Sequence, residues 1–206
     1  MTGTPAQRLQ SLLAQSGLAP LSPQHEADFS AYLSLILRWN ARMNLSAVRD
    51  EDGILARHFV ECIACARALP AGIATLLDFG SGAGLPGIPI ALCRPEIAVT
   101  LAEAQGKKAA FLQEAVRTLN LTAKVYSGRA QELQAAFGCV ALRAVDKMEQ
   151  AVSAAVPLVA PGGWLALMST RAGLATLQAA AGDEFAWSAA IALPGSDQRL
   201  LALGRR

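Results

Sequence analysis

From Leu76 to Gly87 the chain reads Leu-Leu-Asp-Phe-Gly-Ser-Gly-Ala-Gly-Leu-Pro-Gly. An apolar run ends in an acidic residue, glycines then occupy alternating positions, and an apolar segment follows. This order is typical of a β-strand, a tight turn and a helix N-terminus, because glycine allows close approach to a ligand and a helix start carries unpaired N–H groups. The stretch therefore predicts a site for a nucleotide-like cofactor.

The glycines fit two classes of cofactor. Their spacing over residues 82–87 matches the dinucleotide pattern, in which a pyrophosphate lies at the helix N-terminus, but glycine-rich turns of this kind are frequent. The fuller pattern over residues 78–84, an aspartate followed by three alternating glycines, resembles the first motif of methyltransferases that use S-adenosylmethionine. Pro86 lacks an N–H that a phosphate would need, and this favours the methyl donor over the dinucleotide.

A second apolar run supports either cofactor. Residues 97–101 are apolar and are followed by Glu103, about 20 residues beyond the turn, where an acidic side chain can hold the two ribose hydroxyls. A solvated strand end is the alternative interpretation of Glu103.

Composition indicates a compact globular protein. Of the 206 residues, 53% are hydrophobic and 17% are charged, which is ample for one large core. The net charge of +2 comes mostly from arginine, which suits phosphate contacts and permits a nucleic-acid partner without requiring one. Without a membrane-length uncharged segment or a signal sequence, we expect a cytoplasmic protein with no membrane partner and with reduced cysteines.

The pattern of the chain predicts an α/β fold in two parts. Residues 1–70 are predicted to form an N-terminal helical cap, and residues 71–206 one compact domain in which strands and helices alternate. Strands are predicted at 75–79, 97–102, 123–127, 138–142, 163–168, 185–192 and 198–203, and helices at 54–68, 87–93, 106–119, 147–158 and 171–181. Alternation implies parallel strands with helical crossovers, closed by an antiparallel pair. The prediction is a Rossmann-like, seven-stranded methyltransferase sheet with a helical cap, and nothing requires more than a monomer.

The residues at the end of the fourth predicted strand reduce the number of methyl-transfer reactions that fit the sequence. The segment Ala141–Asp146 contains Arg143 but neither an Asn/Asp-Pro-Pro-aromatic motif, used on exocyclic amines, nor a Pro-Cys pair that attacks a pyrimidine. Guanine N7 needs little from a protein, because it has an in-plane lone pair and no proton to remove. Catalysis there requires alignment with the methyl group, and we expect no general base. Arg143 is the candidate for positioning.

Several segments together resemble one family, the bacterial small-subunit rRNA guanine-N7 methyltransferases known as RsmG, formerly glucose-inhibited division protein B. The segments are Trp39–Leu45, Arg57-His58, Asp78–Pro89, Gly106–Leu112, Gly128–Ala130 and Arg143-Ala144. The combination is specific, although no single segment is. The resemblance implies S-adenosylmethionine as methyl donor and a guanine in the decoding-region hairpin of 16S rRNA, with the naked rRNA or the small ribosomal subunit as partner.

The resemblance also assigns cofactor contacts. It implies that Gly80 and Leu85 contact the cofactor, that Ala130 and Gln131 flank its adenine, and that Arg143 lines the pocket near the methyl group. The family usually carries glutamate at the position of Gln131, and Asp-Ser where this chain has Glu61-Cys62. With the glycine turn and the second strand, the predicted cofactor residues are Gly80, Gly82, Gly84, Leu85, Glu103, Ala130, Gln131 and Arg143.

Candidate RNA contacts lie in the predicted cap. They are Arg42, Arg57 and His58, and cap arginines at 38, 49 and 67 could extend the surface. Arg57 and His58 fit equally well as a hydrogen-bonding pair that fixes the cap to the sheet. The helical spacing of His58, Cys62 and Cys65 permits a zinc site, but small cysteines on an apolar helix face are usually core residues, so we expect no metal.

Two other functions remain open from the sequence. A nicotinamide-dependent oxidoreductase would need a proton relay such as Tyr-x-x-x-Lys, and Tyr126 has no lysine four residues on. A non-catalytic RNA-binding or ribosome-assembly module could have kept the cofactor fold, and the glutamine at position 131 is compatible with that alternative.

Overall fold

The computed structural model describes residues 3–206, so the first two residues of the predicted cap lie outside the described part. Helix α1 (Pro5–Gln15) begins after Thr4, whose hydroxyl accepts the N–H of Gln7. Helix α2 (Pro23–Asn40) begins after Ser22 in the same way. Both place proline in the first turn, where its missing N–H costs nothing.

The predicted helix over 54–68 is present and is more complex than its pattern suggests. Helix α3 (Glu51–Gly53) leads into a π-helical segment (Ile54–Phe59) and then into helix α4 (Val60–Ala68). The N–H of Val60 reaches back five residues to the carbonyl of Leu55, so this turn contains one extra residue. Such turns are rare and occur often at functional sites, and this one carries Arg57 and His58.

The sheet has eight strands in the order β3-β2-β1-β4-β5-β8-β6, with β7 also paired to β8. The strands are β1 (Thr75–Phe79), β2 (Ala98–Ala102), β3 (Lys124–Tyr126), β4 (Phe137–Arg143), β5 (Val159–Thr170), β6 (Ala186–Trp187), β7 (Ile191–Ala192) and β8 (Arg199–Arg205). The first five are parallel, and β8 runs antiparallel to β5. This confirms the predicted α/β topology.

The predicted count of seven strands is low by one. The expected strand over 185–192 is divided into β6 and β7, because Trp187 pairs with Gly204 whereas Ile191 pairs with Leu201. Three residues on the edge side therefore face two on β8. A bulge of this kind bends an edge strand and discourages pairing with another chain.

The remaining helices cover both faces of the sheet. They are α5 (Gly87–Cys93), α6 (Gly106–Thr118), α7 (Met148–Ala155) and α8 (Arg171–Ala181). Leu76 of β1 packs with the cap, α5 and α6, and its neighbour Leu77 packs with α7 and α8, as alternation along a strand requires. Cap and sheet share one apolar core on the first face, and the domain boundary at residue 70 stays a prediction.

Strand β1 marks the place where a ligand is expected. The chain continues to β2 on one side of it and later to β4 on the other, so the carboxyl end of β1 is a topological switch point with a crevice outside it. In residues 3–206, no helix combines the length and the apolar composition needed to cross a bilayer.

Candidate functional site

A cavity of about 810 Å³ lies at the carboxyl ends of β1, β2 and β4. This volume is within the usual range for small-molecule sites. Its lining includes these predicted residues: Gly80, Gly82, Leu85, Glu103, Ala130, Gln131, Arg143, Arg57 and His58. Two predicted residues, Gly84 and Arg42, do not line it. The cap and the sheet both contribute walls, so the cavity lies between them.

The glycine loop, which we define as residues 80–85, is held from several directions. The N–H of Ser81 donates to the carbonyl of Ala102 at the end of β2, over 2.9 Å. Its hydroxyl donates to Asp78 Oδ2 over 2.5 Å, and the N–H of Gly82 donates to Glu103 Oε2 over 2.9 Å. These bonds fix the loop to β1 and to the end of β2, and a preorganised loop costs less to order when a ligand binds.

Two glycines that follow the cavity wall are required for space. A Cβ on Gly84, whose φ is +84°, would lie 2.4 Å from Cδ1 of Ile88, and a Cβ on Gly87 would lie 2.3 Å from Cδ2 of Leu101. Gly82, with φ +58°, has nothing closer than the carbonyl oxygen of Gly80 at 3.9 Å. Gly84 therefore shapes the turn from behind, whereas Gly82 leaves open space on the cavity side.

The start of α5 offers no free donors to a phosphate. The N–H of Gly87 donates to Asp78 Oδ2 over 3.0 Å, the N–H of Ile88 donates to the carbonyl of Gly84, and Pro89 has no N–H. A pyrophosphate site depends on these first-turn donors. The arrangement disfavours a dinucleotide and fits a cofactor that places no phosphate here.

Asp78 serves the loop rather than a ligand. It is 1% exposed, and its Oδ2 accepts both the Ser81 hydroxyl and the Gly87 N–H. Burial raises its pKa to about 6, against the opposing effect of those two hydrogen bonds. The acidic residue that opens the motif is thus a clamp between the loop and α5.

Glu103 is oriented as a receptor for hydroxyl groups. Its Oε2 accepts from Gly82 and its Oε1 accepts from the N–H of Gln105 over 2.8 Å. An ionised carboxylate has about four acceptor positions, so about two remain for a ligand. The pair of hydroxyls on a ribose matches that capacity, and the residues present fit an adenosyl cofactor.

The residues that follow β3 form another part of the cavity wall. Ala130 is 5% exposed and begins a short 3₁₀ turn over Ala130–Glu132, whereas Gln131 is exposed, and both line the cavity. The small side chain of Ala130 leaves room for a flat group, and Gln131 can offer an amide at the rim.

Arg143 joins the end of β4 to the cap. Its Nη2 donates to the carbonyl of Arg57 over 3.1 Å and to Glu61 Oε2 over 3.1 Å, and it lies 2.9 Å from His58 Nδ1. Glu61 is 1% exposed and also forms an ion pair with Arg199 of β8. One buried carboxylate therefore holds two arginines, and we call Glu61, Arg143 and Arg199 the junction cluster.

His58 extends this cluster to the rim of the cavity. Because Arg143 can only donate, His58 Nδ1 accepts, and the proton lies on Nε2, which donates to the hydroxyl of Ser46 over 2.8 Å. Burial, with the positive charge of Arg143, lowers the pKa of His58 to about 3. His58 is thus neutral and links Arg143 of β4 to the loop that contains Ser46.

The cavity lining also includes Glu61, Arg199 and the loop over residues 45–48, none of which is among the predicted site residues. In the sequence, Glu61 marks only a departure from the family pattern, and Arg199 lies in the part of the chain without matched motifs. The loop depends on Asn40, whose Oδ1 accepts the N–H groups of Leu45 and Ser46 and whose Nδ2 donates to Val48. The sequence feature that could have indicated this loop is Asn40, a buried asparagine at a helix end.

The candidate RNA-contacting arginines divide into two groups. Arg38 pairs with Glu114, Arg49 donates to Asn44, and Arg67 donates to the carbonyl of Ala19, so these three have partners within the chain. Arg42 and Arg57 are exposed, and Arg57 lies at the cavity.

The geometry does not favour zinc at His58, Cys62 and Cys65. Both ring nitrogens of His58 are engaged, and burial raises the pKa of the Cys62 thiol to about 12, which disfavours the thiolate that a metal requires. Within the part of the chain that the structure describes, no group of three or more His, Cys, Asp or Glu side chains is arranged to hold a metal ion.

Comparison with known proteins identifies the family. The family model described as rRNA small subunit methyltransferase G matches residues 25–188. A protein of Xanthomonas campestris pv. campestris named Ribosomal RNA small subunit methyltransferase G is 42% identical over 150 residues, which cover 69% of this chain and 70% of that protein. The protein of the same name from Xanthomonas euvesicatoria pv. vesicatoria is 41% identical over 162 residues, covering 77% and 74%.

A solved structure shows the same fold. The S-adenosylmethionine-dependent methyltransferase from Aquifex aeolicus superimposes with a TM-score of 0.56 at 14% identity, covering 74% of this chain and 92% of that one. The resemblance stated from the sequence motifs is confirmed, and the cofactor is S-adenosylmethionine. This chain belongs to the rRNA small subunit methyltransferase G family.

Proposed function

We propose that this protein transfers a methyl group from S-adenosylmethionine to N7 of a guanine in the decoding-region hairpin of 16S rRNA. The observation that carries the proposal is the state of the ionisable groups between the cap and β4. Arg143, Glu61 and His58 are each engaged by another protein group, and His58 is held neutral with both nitrogens occupied. None of these three groups is free to remove a proton, and N7 methylation requires none.

The proposed mechanism is positioning. S-adenosylmethionine supplies an electrophilic methyl group on a sulfonium. Transfer to the in-plane lone pair of guanine N7 would form the N7–carbon bond as the sulfur–carbon bond breaks, would release S-adenosylhomocysteine and would need no proton transfer. The protein must therefore hold N7 in line and exclude water. Such alignment is worth up to about 7–11 kcal/mol of the barrier. A cavity enclosed by both the sheet and the cap can provide that alignment.

We assign the cofactor to the glycine-loop side of the cavity. Gly80, Gly82 and Leu85 would form its floor, Glu103 would accept the ribose hydroxyls, and Ala130 with Gln131 would border the adenine. Gly84 would act indirectly, by shaping the turn. Arg143 would be a positioning residue, because its Nη2 donates to the cap.

The RNA would approach from the cap side. Arg57 and Arg42 are proposed to contact phosphate, whereas His58 is proposed to hold the rim loop instead of touching RNA. We propose a monomer that acts on the small subunit or its 16S rRNA. Since ribosomal RNA is assembled in the cytoplasm of bacteria, the same substrate supports the cytoplasm as the place of action.

The proposal is tested by mapping the product. Small subunits or 16S rRNA lacking the modification are incubated with the protein and S-adenosylmethionine, reduced with borohydride and cleaved with aniline, which breaks the chain at 7-methylguanosine. Primer extension is expected to stop at one guanine in the decoding-region hairpin. Methyl incorporation without cleavage would place the methyl on another atom, and no incorporation on any rRNA form would favour the non-catalytic RNA module.

A further inference from the structure

Tyr32 connects the cap to the glycine loop. It lies in α2, is 0% exposed, and its hydroxyl donates to the carbonyl oxygen of Ala83 over 2.5 Å, across 51 residues of sequence. Ala83 lines the cavity. A side chain buried in the cap thus ends on the backbone that we assign to the cofactor.

The hydroxyl has no packing role that a phenylalanine could not fill. Phe29 and Leu33 beside it in α2 are equally buried and apolar, and the Tyr32 ring stacks on Phe59 at 5.1 Å between centroids. A buried hydroxyl is unfavourable unless it is hydrogen-bonded. Its presence is explained by the Ala83 carbonyl.

The bonded peptide lies in the part of the loop where two glycines adopt positive φ. Ala83 stands between Gly82, with φ +58°, and Gly84, with φ +84°. Glycine occupies several backbone regions with little difference in energy. The N–H of the peptide between Ala83 and Gly84 donates to the carbonyl of Ser81 over 2.8 Å, and the Tyr32 hydroxyl holds the carbonyl at its other end, so both polar groups of this peptide are fixed. The Tyr32 hydroxyl also lies 2.9 Å from the position of a Cβ on Gly84, so tyrosine and glycine are fitted to each other.

We propose that Tyr32 is a positioning residue for cofactor binding. Its hydroxyl fixes the Ala83 peptide in the conformation that receives S-adenosylmethionine, and the cap is thereby part of the cofactor site. The inference rests on the assignment of the cofactor to this loop and does not depend on which RNA is methylated. Phe59, on which Tyr32 stacks, is adjacent to His58, so the same ring also contacts the segment that borders the junction cluster.

The test compares Tyr32→Phe with the unsubstituted protein by calorimetric titration with S-adenosylhomocysteine. One lost hydrogen bond predicts a rise in Kd of about threefold to tenfold. The KM for S-adenosylmethionine should rise by the same factor, while kcat at saturating cofactor and the KM for RNA stay within about twofold. A merely structural role would lower Tm without this separation of KM from kcat.

Phe29→Leu is the matched control. Phe29 packs on Phe59 from the same helix and is not hydrogen-bonded to the loop. It should lower Tm and leave the Kd for S-adenosylhomocysteine unchanged. An unchanged Kd in Tyr32→Phe, or an equal rise in Phe29→Leu, would overturn the inference. Absence of rRNA methylation by the unsubstituted protein would contradict the proposed function instead, and the titration with S-adenosylhomocysteine distinguishes the two failures.

Discussion

The glycine loop and the junction cluster border the same cavity but are held by different interactions. The loop is fixed by the Ser81 hydroxyl, which donates to Asp78, by backbone N–H groups that donate to Ala102 and Glu103, and by glycines that leave room for close packing. The junction is fixed by charge, with Glu61 buried between Arg143 and Arg199. One side is preorganised by geometry, and the other side is joined by an ionic contact between two parts of the chain.

Because of this difference, substitutions on the two sides of the cavity are expected to change different properties of the protein. A change on the loop side should remove a ligand contact while most of the core stays intact. A change at the junction should leave a buried charge without a partner and loosen the cap, since both arginines reach Glu61 from the sheet. Cofactor affinity and fold stability are therefore expected to respond to different residues.

The largest effect is expected for Glu61→Ala. Removing one partner of a buried ion pair typically costs about 3–5 kcal/mol, because the remaining charge is left uncompensated. Urea unfolding should show a loss of this size in the free energy of unfolding. Glu96→Ala is the control, since Glu96 pairs with Arg94 at the exposed surface and its removal should leave the unfolding midpoint nearly unchanged. Equal midpoints for the two variants would contradict the role of the junction.

Glu103→Gln should weaken cofactor binding and leave the stability nearly unchanged, in contrast to Glu61→Ala. Hydrogen bonds to a charged group contribute about 1.5–3 kcal/mol, which predicts a rise of about ten- to hundredfold in the Kd for S-adenosylhomocysteine. The amide oxygen can still accept from the backbone, so the unfolding midpoint should change little. Calorimetry paired with urea unfolding measures both quantities. A variant that loses stability but binds normally would contradict the loop-side assignment.

Two buried groups, His58 and Asp78, change the folding stability in opposite directions as the pH falls. The pKa of His58 is lowered from 6.5 to about 3, so below pH 6.5 the unfolded chain binds a proton that the folded chain refuses, and stability falls as the pH drops toward 3. At pH 5 this loss is about 2 kcal/mol. The pKa of Asp78 is raised from 3.8 to about 6, so its contribution increases stability as the pH falls through the same range.

His58→Gln removes the first of these contributions while keeping a donor for Ser46. We expect the variant to become more stable at pH 5 relative to pH 7.5, whereas in the unsubstituted protein the gain from Asp78 offsets the larger loss from His58 only in part. Unfolding curves at both pH values measure this difference. Identical pH profiles for the two proteins would show that His58 is not held neutral in the folded state.

The smallest effect is expected for Arg57→Ala. An exposed arginine that contacts one RNA phosphate should, when removed, weaken rRNA binding a few-fold and reduce the slope of log K against log salt by about 1. Cofactor affinity and stability should not change. Arg67→Ala is the comparison, because Arg67 donates to the carbonyl of Ala19 and is not proposed to contact RNA. If the salt dependence of rRNA binding were the same in Arg57→Ala as in the unsubstituted protein, Arg57 would not contact an RNA phosphate.

The sheet and the glycine loop were predictable from sequence because their signals are local. Alternating apolar runs defined the first five strands to within a few residues, and glycine spacing located the turn. The division between β6 and β7 was not predictable, since it depends on the register against β8. Strand register is set by tertiary contacts, and local sequence patterns do not define it.

The junction could not be predicted for a similar reason. Glu61, Arg143 and Arg199 lie on α4, β4 and β8, and only folding brings them together. Motif resemblance pointed to Arg143 but not to what it touches. The role of Tyr32 was equally hidden, because an aromatic residue on the apolar face of a helix is usually a core residue and its hydroxyl partner is 51 residues away.

The most direct test of the account is calorimetric titration with S-adenosylhomocysteine and, in parallel, with NADH, on the unsubstituted protein and on Gly82→Val. The account predicts saturable binding of S-adenosylhomocysteine at one site, no binding of NADH, and loss of the site in the variant, because valine at φ +58° is strained and would extend into the cavity. Binding of NADH, or binding of S-adenosylhomocysteine unaffected by Gly82→Val, would contradict it.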